Sequence, residues 1–301
     1  MNARPLAGEI NRREFLGAAV TATGLVATAG VSMAAVKSNG VRDRLTDVNI
    51  NHARWPPRRL RYDDTGELVA KLRRHSVIQA WAGSFDGLLH KDLAAVNAWL
   101  AEECRRRGRG LLLPFGSVNP KAPDWEEELR RCVEVHRMPG IRLHPNYHGY
   151  KLDDPAFARL LKVAADQRLI VQLAVMMEDE RMMHPLLRAE PVDPAPLSDL
   201  VKATPSLRLV LLNTLPALRG ESLRKLLAVG GFYVEIAMVD GVGGVANLLE
   251  QVPLQRVLFG SYAPLFYFES ALLNLQESPL SKEQLNAIRH ENVQRLIASK
   301  T

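Results

Sequence analysis

Cysteine is scarce, with two residues, Cys104 and Cys132, in a chain of 301. That excludes a disulfide-built scaffold and any zinc site made of paired Cys-x-x-Cys elements. Both fall on the apolar stripe of a helical pattern, which points to buried thiols rather than a metal pair, with a disulfide between them left open if the chain is exported. Aromatic residues make up only 6%. Neither basic cluster, Trp55-Pro-Pro-Arg-Arg-Leu-Arg61 or Cys104-Arg-Arg-Arg-Gly-Arg109, is interleaved with them or set in a motif that reads bases. The net charge of +6 is otherwise spread out, so no nucleic-acid partner is expected. Also missing are a Gly-x-Ser-x-Gly elbow, a phosphate loop, a dinucleotide fingerprint and a His-Glu-x-x-His helix. Gly241-Val242-Gly243-Gly244 lacks the strand-turn context of a phosphate site. No repeat, low-complexity tract or linker marks a second domain.

What is present begins with a leader. Asn11-Arg12-Arg13-Glu14-Phe15-Leu16-Gly17 precedes an uncharged run of small and apolar residues to Val36. Paired arginines before Phe-Leu resemble the twin-arginine signal, which implies the twin-arginine translocase as a partner during export and a periplasmic or exported location. Cleavage is expected after Ala34, so residues 1–35 are assigned to the signal and 36–301 to the folded domain. The run from Phe15 is long enough to span a bilayer, which leaves an uncleaved membrane anchor as the alternative, but Gly17, Thr21, Gly24 and Gly30 make it less apolar than an ordinary span.

After Lys37, eight short β-branched runs alternate with helical patterns, the signature of a parallel sheet. They are Leu45–Asn51, Ser76–Trp81, Gly110–Ser117, Gly140–His144, Leu169–Val175, Leu207–Thr214, Phe232–Met238 and Arg256–Tyr262. Eight such units in a chain of this size predict a single-domain α/β fold, the (β/α)8 or TIM barrel. Helical stretches between them carry apolar residues at three and four spacing, as in Leu93, Val96, Leu100 and Cys104, and Asp153-Asp154-Pro155 opens another with a capping acid and a first-turn proline. The longest gap, Met176 to Pro196, predicts a functional loop over the barrel mouth.

Several segments are similar to one family. Thr46-Asp47-Val48-Asn49-Ile50-Asn51, Gly116-Ser117-Val118-Asn119-Pro120, Gly140-Ile141-Arg142-Leu143-His144-Pro145, Leu152-Asp153-Asp154-Pro155-Ala156-Phe157, Leu258-Phe259-Gly260-Ser261 and Glu291-Asn292-Val293-Gln294-Arg295-Leu296 run in order along the chain. Together they resemble the amidohydrolase-related family, a branch of the amidohydrolase superfamily that holds metal-dependent hydrolases and nonoxidative decarboxylases of aromatic or keto acids. The resemblance implies a His-x-His after the first strand, a His after the fifth, a His after the sixth and an Asp after the eighth, holding a cation that activates water. These positions fall on Asn49 and Asn51, on Leu173 or its neighbour Gln172, on Asn213 and on Tyr262. Neutral amides and a phenol are weak ligands, so no metal ligand and no tightly held cofactor is expected, although a weakly bound divalent metal stays open.

The replacements remain polar, which predicts a mouth that binds a small polar or acidic molecule through Asn49, Asn51, Arg142, His144, Gln172, Asn213 and Tyr262. The alternative is an active hydrolase or carboxy-lyase with a weak or absent metal, and a partner-binding barrel is a third reading. His144, at a C-terminal strand end, is the candidate catalytic residue, with a structural histidine beside Pro145 as the bland account. His52 is expected to face away from Asn51 and to pack. Glu235 is expected either to pair with Arg142 inside the barrel or to mark a site. Glu178, Asp179, Glu180, Arg181 and His184 form a charged loop, and Trp81, Tyr147, His148, Tyr150, Phe266 and Tyr267 are candidate aromatic walls. Self-association into a homo-oligomer is left open.

Overall fold

The computed structural model describes residues 44–215 and 217–299. The signal assigned to residues 1–35 lies outside them. Among the described residues no helix is long and apolar enough to cross a membrane.

Eight strands run β1 Leu45–His52, β2 Val77–Ser84, β3 Leu112–Ser117, β4 Gly140–Leu143, β5 Ile170–Ala174, β6 Arg208–Leu212, β7 Phe232–Glu235 and β8 Val257–Leu258. They lie side by side in sequence order, each pair parallel. The last strand closes on the first through Val48 N–H to Phe259 O at 3.0 Å, Asn51 N–H to Ala263 O at 2.8 Å and Tyr262 N–H to Asn49 O at 2.7 Å. The predicted (β/α)8 barrel is thus the fold. Every predicted strand is present, but the paired stretches begin and end elsewhere. β8 pairs with β7 over only two residues because beyond Leu258 the chain bonds to β1 instead, through Phe259 O, Tyr262 N–H and Ala263 O.

Helices α1 Thr65–Arg74, α2 Leu93–Arg106, α3 Trp125–Glu134, α4 Pro145–His148, α5 Pro155–Asp166, α6 Leu197–Ala203, α7 Gly220–Val229, α8 Gly244–Leu249 and α9 Phe268–Glu277 fill the crossovers. The local chemistry is plain at their starts: the Asp154 carboxylate accepts from Ala156 N–H at 2.9 Å with Pro155 in the first turn, and the Asp64 carboxylate caps α1 through Gly66 N–H at 2.8 Å. α10 Lys282–Asn286 opens on a capping box between Ser281 and Gln284, and α11 Asn292–Ala298 follows through a π-helical turn.

Three apolar layers stack along the barrel. A broad one lies between sheet and helices and holds Cys104 and Cys132, both buried and unbonded to each other. Inside the barrel a floor of Val48, Trp81, Phe115, Ile170, Val210, Leu212 and Leu258 is closed from below by Val293 and Leu296 of α11. At the strand C-termini a roof forms from Trp55, Phe85, Leu88, Ala174, Met177, Ala237, Met238 and Tyr262. Between floor and roof sits a polar layer.

Candidate active site

That layer is built by the strand ends. Asn49, Asn51, Arg142, Gln172, Asn213, Glu235 and Asp47 are each at most 1% exposed. Side-chain alternation turns Gln172 inward while Leu173 packs among the outer apolar side chains, so Gln172 is the fifth-strand residue that meets the lumen.

The amides do not converge on one point but divide into two groups. In the first, Asn49 donates through Nδ2 to Asn213 Oδ1 at 2.9 Å and to Glu235 Oε1 at 3.3 Å, and Asn213 donates onward to Met176 O at 2.9 Å. In the second, Arg142 donates to Gln172 Oε1 at 2.8 Å and to Asn51 Oδ1 at 2.9 Å, while Gln172 Nε2 donates to Val48 O at 2.6 Å. Tyr262 belongs to neither, since its hydroxyl donates upward to Met177 Sδ at 3.4 Å and its ring meets Phe266 at 5.3 Å. Asn213 and Tyr262 both hold left-handed backbone, at φ 54° and 58°. Asn tolerates that conformation and Tyr tolerates it poorly, so Tyr262 holds a strained backbone at the edge of the layer.

The expected pair of Glu235 with Arg142 is not what forms. Glu235 Oε1 accepts from Asn213 N–H at 2.6 Å, and its Oε2 from Ala237 N–H at 2.6 Å. Backbone amides reach it because β7 ends at Glu235 and the chain bends over the carboxylate, and Gly260 leaves room, since a Cβ there would lie 2.5 Å from Glu235 Oε2. Asp47, which the sequence reading did not single out, is a further member. Its Oδ1 accepts from Asn49 N–H and Ser261 N–H at 3.0 Å each, and its Oδ2 from the Ser261 hydroxyl at 2.5 Å, so it rivets β1 to the end of β8. The signal for it lay in Thr46-Asp47-Val48, an acid inside an apolar strand.

Burial governs the ionisation of the layer. It pushes Asp47 up to about 7 against the hydrogen bonds of Ser261 and Asn49, raises Glu235, lowers Arg142 to about 10, and holds the Tyr262 phenol well above its ordinary range. His144 is 1% exposed and is held neutral, well below the usual imidazole value, by burial and then by His148 and Arg142. Its ring stands edge-on to His148 at 6.0 Å, and its Nδ1 has no hydrogen-bond partner.

The remaining candidates separate. His52 faces outward, 3.7 Å from Glu103 Oε2, as strand alternation requires. Trp81 stacks on Phe115 at 4.8 Å in the floor, and Tyr150 packs on Phe157 at 5.6 Å behind the sheet, so neither lines the mouth. His148 Nε2 bonds Gly87 O at 2.8 Å. Tyr147 and Phe266 pack against the roof, Tyr267 is 69% exposed, and Trp55 and Phe85, which met no expectation, form its aromatic centre at 5.0 Å. The loop from Met176 does lie over the mouth. Within it Glu178 is buried and paired with Arg58, Asp179 pairs with Arg181 in solvent, and His184 caps a short turn. Trp55, Leu88, Tyr147, Glu178, Met183, His184 and Leu187 enclose only about 10 Å³, the room one water molecule needs.

The amidohydrolase family profile matches residues 47–297, nearly the whole described barrel. The chain belongs to the amidohydrolase family. No curated protein sequence matches it. Solved structures similar to this amidohydrolase barrel include 5-carboxyvanillate decarboxylase of Sphingomonas paucimobilis, at 14% identity and TM-score 0.66 over 85% of this chain and 99% of that one. They also include 2,6-dihydroxybenzoate decarboxylase from Rhizobium, at 15% identity and TM-score 0.62 over 84% and 98%. A third is a dihydroxybenzoic acid decarboxylase from Polaromonas with bound manganese and 2-nitroresorcinol, at 14% identity and TM-score 0.65 over 85% and 97%. At such identities the likeness establishes the fold.

The family implies a divalent metal, and the donors of this amidohydrolase do not fit one. No group of three or more His, Cys, Asp or Glu able to hold an ion exists among the described residues. Asn51 and Gln172 already turn their oxygens to a guanidinium, and both Glu235 oxygens are taken by N–H groups. A cation entering this layer would meet a fixed positive charge and no free anion.

Proposed function

We propose that the barrel is an enzyme of the carboxy-lyase or hydrolase kind acting on a small aromatic or keto acid, and that it works with its own protonatable groups rather than a tightly held metal. The observation that carries this reading is a neutral imidazole with an unpartnered Nδ1, His144, buried at a strand C-terminus beside the charge of Arg142. The named decarboxylases of the same fold support the substrate class. Asn49 Oδ1 and Asn51 Nδ2 are likewise buried without partners, and such atoms cost about 1–3 kcal/mol each unless a ligand or water meets them.

In a nonoxidative decarboxylation the bond from carbon to carboxylate breaks, carbon dioxide leaves without the electron pair, and the pair on carbon takes up a proton, so no oxidant is required. Arg142 offers its charge to the bound carboxylate. A neutral His144 accepts the proton of a substrate hydroxyl, or of a water in the hydrolytic case, and returns it. A second reading, binding without turnover, is favoured by the neutral amides of Asn49, Asn51 and Asn213 at the strand ends. Carbon dioxide release and ester cleavage, measured over a panel of hydroxybenzoates, keto acids and lactones, test the proposal alongside thermal shifts. Turnover that falls about 10²–10⁴-fold in His144→Ala supports it. Thermal shifts without turnover favour the binding reading, and an unchanged rate in His144→Ala removes that residue's role.

A further inference from the structure

The most demanding environment in the molecule belongs to Arg142. Its side chain is 1% exposed, yet no carboxylate is among its hydrogen-bond partners. Five neutral oxygens surround it instead. Nε donates to Gln172 Oε1 at 2.8 Å, Nη1 to Ile50 O at 2.7 Å and Asn51 Oδ1 at 2.9 Å, and Nη2 to Trp81 O at 3.1 Å and Val48 O at 3.5 Å. An arginine has five N–H donors, and all five are spoken for. Backbone and amide oxygens turned inward around one positive charge are the donor set of a bound cation.

We propose that the Arg142 guanidinium is the resident cation of this barrel, seated in the strand-end layer in place of a divalent metal. Two of its partners, Asn51 and Gln172, occupy strand ends where the resemblance to the family assigns metal ligands. The exchange of imidazole for amide suits the new occupant, because each amide oxygen accepts one guanidinium N–H, Asn51 Oδ1 from Nη1 and Gln172 Oε1 from Nε. Asp47 and Glu235 lie near enough to influence its charge while spending their own oxygens on N–H and O–H donors. The backbone opposite is shaped to it. A Cβ on Gly83 of β2 would lie 2.6 Å from Arg142 Cδ and 2.7 Å from Nη1, so glycine is the residue that lets the guanidinium reach its seat. With every donor used, Arg142 supplies the layer with a fixed charge rather than with a free hydrogen bond, which draws an anionic group without holding it. The inference stands whether or not the barrel turns over an acid.

Two measurements on the full chain test it. In the first, Asn49→His, Asn51→His, Asn213→His and Tyr262→Asp are combined, once with Arg142 kept and once with Arg142→Met, and Mn²⁺ and Zn²⁺ binding is read by equilibrium dialysis. The metal should bind at least about tenfold tighter without the guanidinium. Equal affinity in the two, or no metal in either, would overturn the proposal. In the second, Gly83→Ala should lower the melting temperature by several degrees in the native chain and by less than a third as much in an Arg142→Ala background. Equal losses in both would show that the seat is not shaped by Arg142, and this second cycle reports even if the multiple variant fails to fold.

Discussion

At the scale of single residues the barrel's polar layer makes stability depend on pH in a way that can be signed. Asp47 is fully buried and its folded carboxyl titrates near 7, above the ordinary 3.8. The folded state therefore holds a proton that the unfolded state has released, and stability is fully present below about 3.8 and lost as pH rises toward 7. The native chain should lose stability relative to Asp47→Asn across that window, by an amount on the order of a few kcal/mol, read from denaturant melts at several pH values. A difference that stays flat with pH would sink the assignment. This residue also marks what the sequence conceals. Asn49, Asn51, Arg142, Gln172 and Asn213 were found as strand-end positions, because alternation and family resemblance locate a side chain on a strand. Which oxygen each would meet was not legible: Arg142 bonds carbonyls rather than Glu235 because register and close approach at Gly83 decide partners, and neither is written in local sequence.

Among the elements, the loop from Met176 to Pro196 has the clearest mechanical role. Arg58, from the loop after β1, pairs with Glu178, whose side chain is 4% exposed while that of Arg58 is 41% exposed. The pair ties two loops together over the roof, and Met177 beneath it receives the Tyr262 hydroxyl. The cavity beside this pair, lined by Trp55, Tyr147, Glu178 and His184, holds about 10 Å³, so a molecule larger than water enters it only when the loops part. Arg58→Ala should raise amide hydrogen exchange at residues 177–187 about tenfold or more, with little change at β5 and β6. Unchanged exchange across the loop would remove the latch. The existence and length of this loop were legible from its prolines and its lack of periodicity. Its burial was not, because Glu178 within a run of charges reads as solvated until Arg58 is brought to it from 120 residues away. The strands show the same limit, with every one foreseen and β8 cut to two paired residues by its switch of partner to β1.

For the whole molecule, the alternation of eight strands and helices was enough to specify the barrel, since few other closed arrangements bury eight apolar parallel strands on both faces. The leader is a separate matter of processing. If the leader acts as a twin-arginine signal cleaved after Ala34, N-terminal sequencing of the protein from a periplasmic fraction should begin at Ala35, and a mature protein that retains Arg12 and Arg13 would count against cleavage there.

The global consequence of a guanidinium-centred barrel is that its stability is uncoupled from metal supply. A barrel with a tight dication site gains about 2.7 kcal/mol when free metal stands a hundredfold above its Kd, because only the folded state binds. This chain lacks any cluster of three or more His, Cys, Asp or Glu among its described residues, and its central charge is covalently attached. Its melting temperature should stay within about 1 °C on exhaustive chelation and on addition of Mn²⁺, since no binding energy is lost or gained. The Arg142→Met chain, deprived of the buried charge that organises five inward oxygens, should melt several degrees lower with or without metal. A native chain that loses ten degrees to a chelator and regains them with manganese would mean that the oxygens of β1, β2 and β5 do not serve the guanidinium alone.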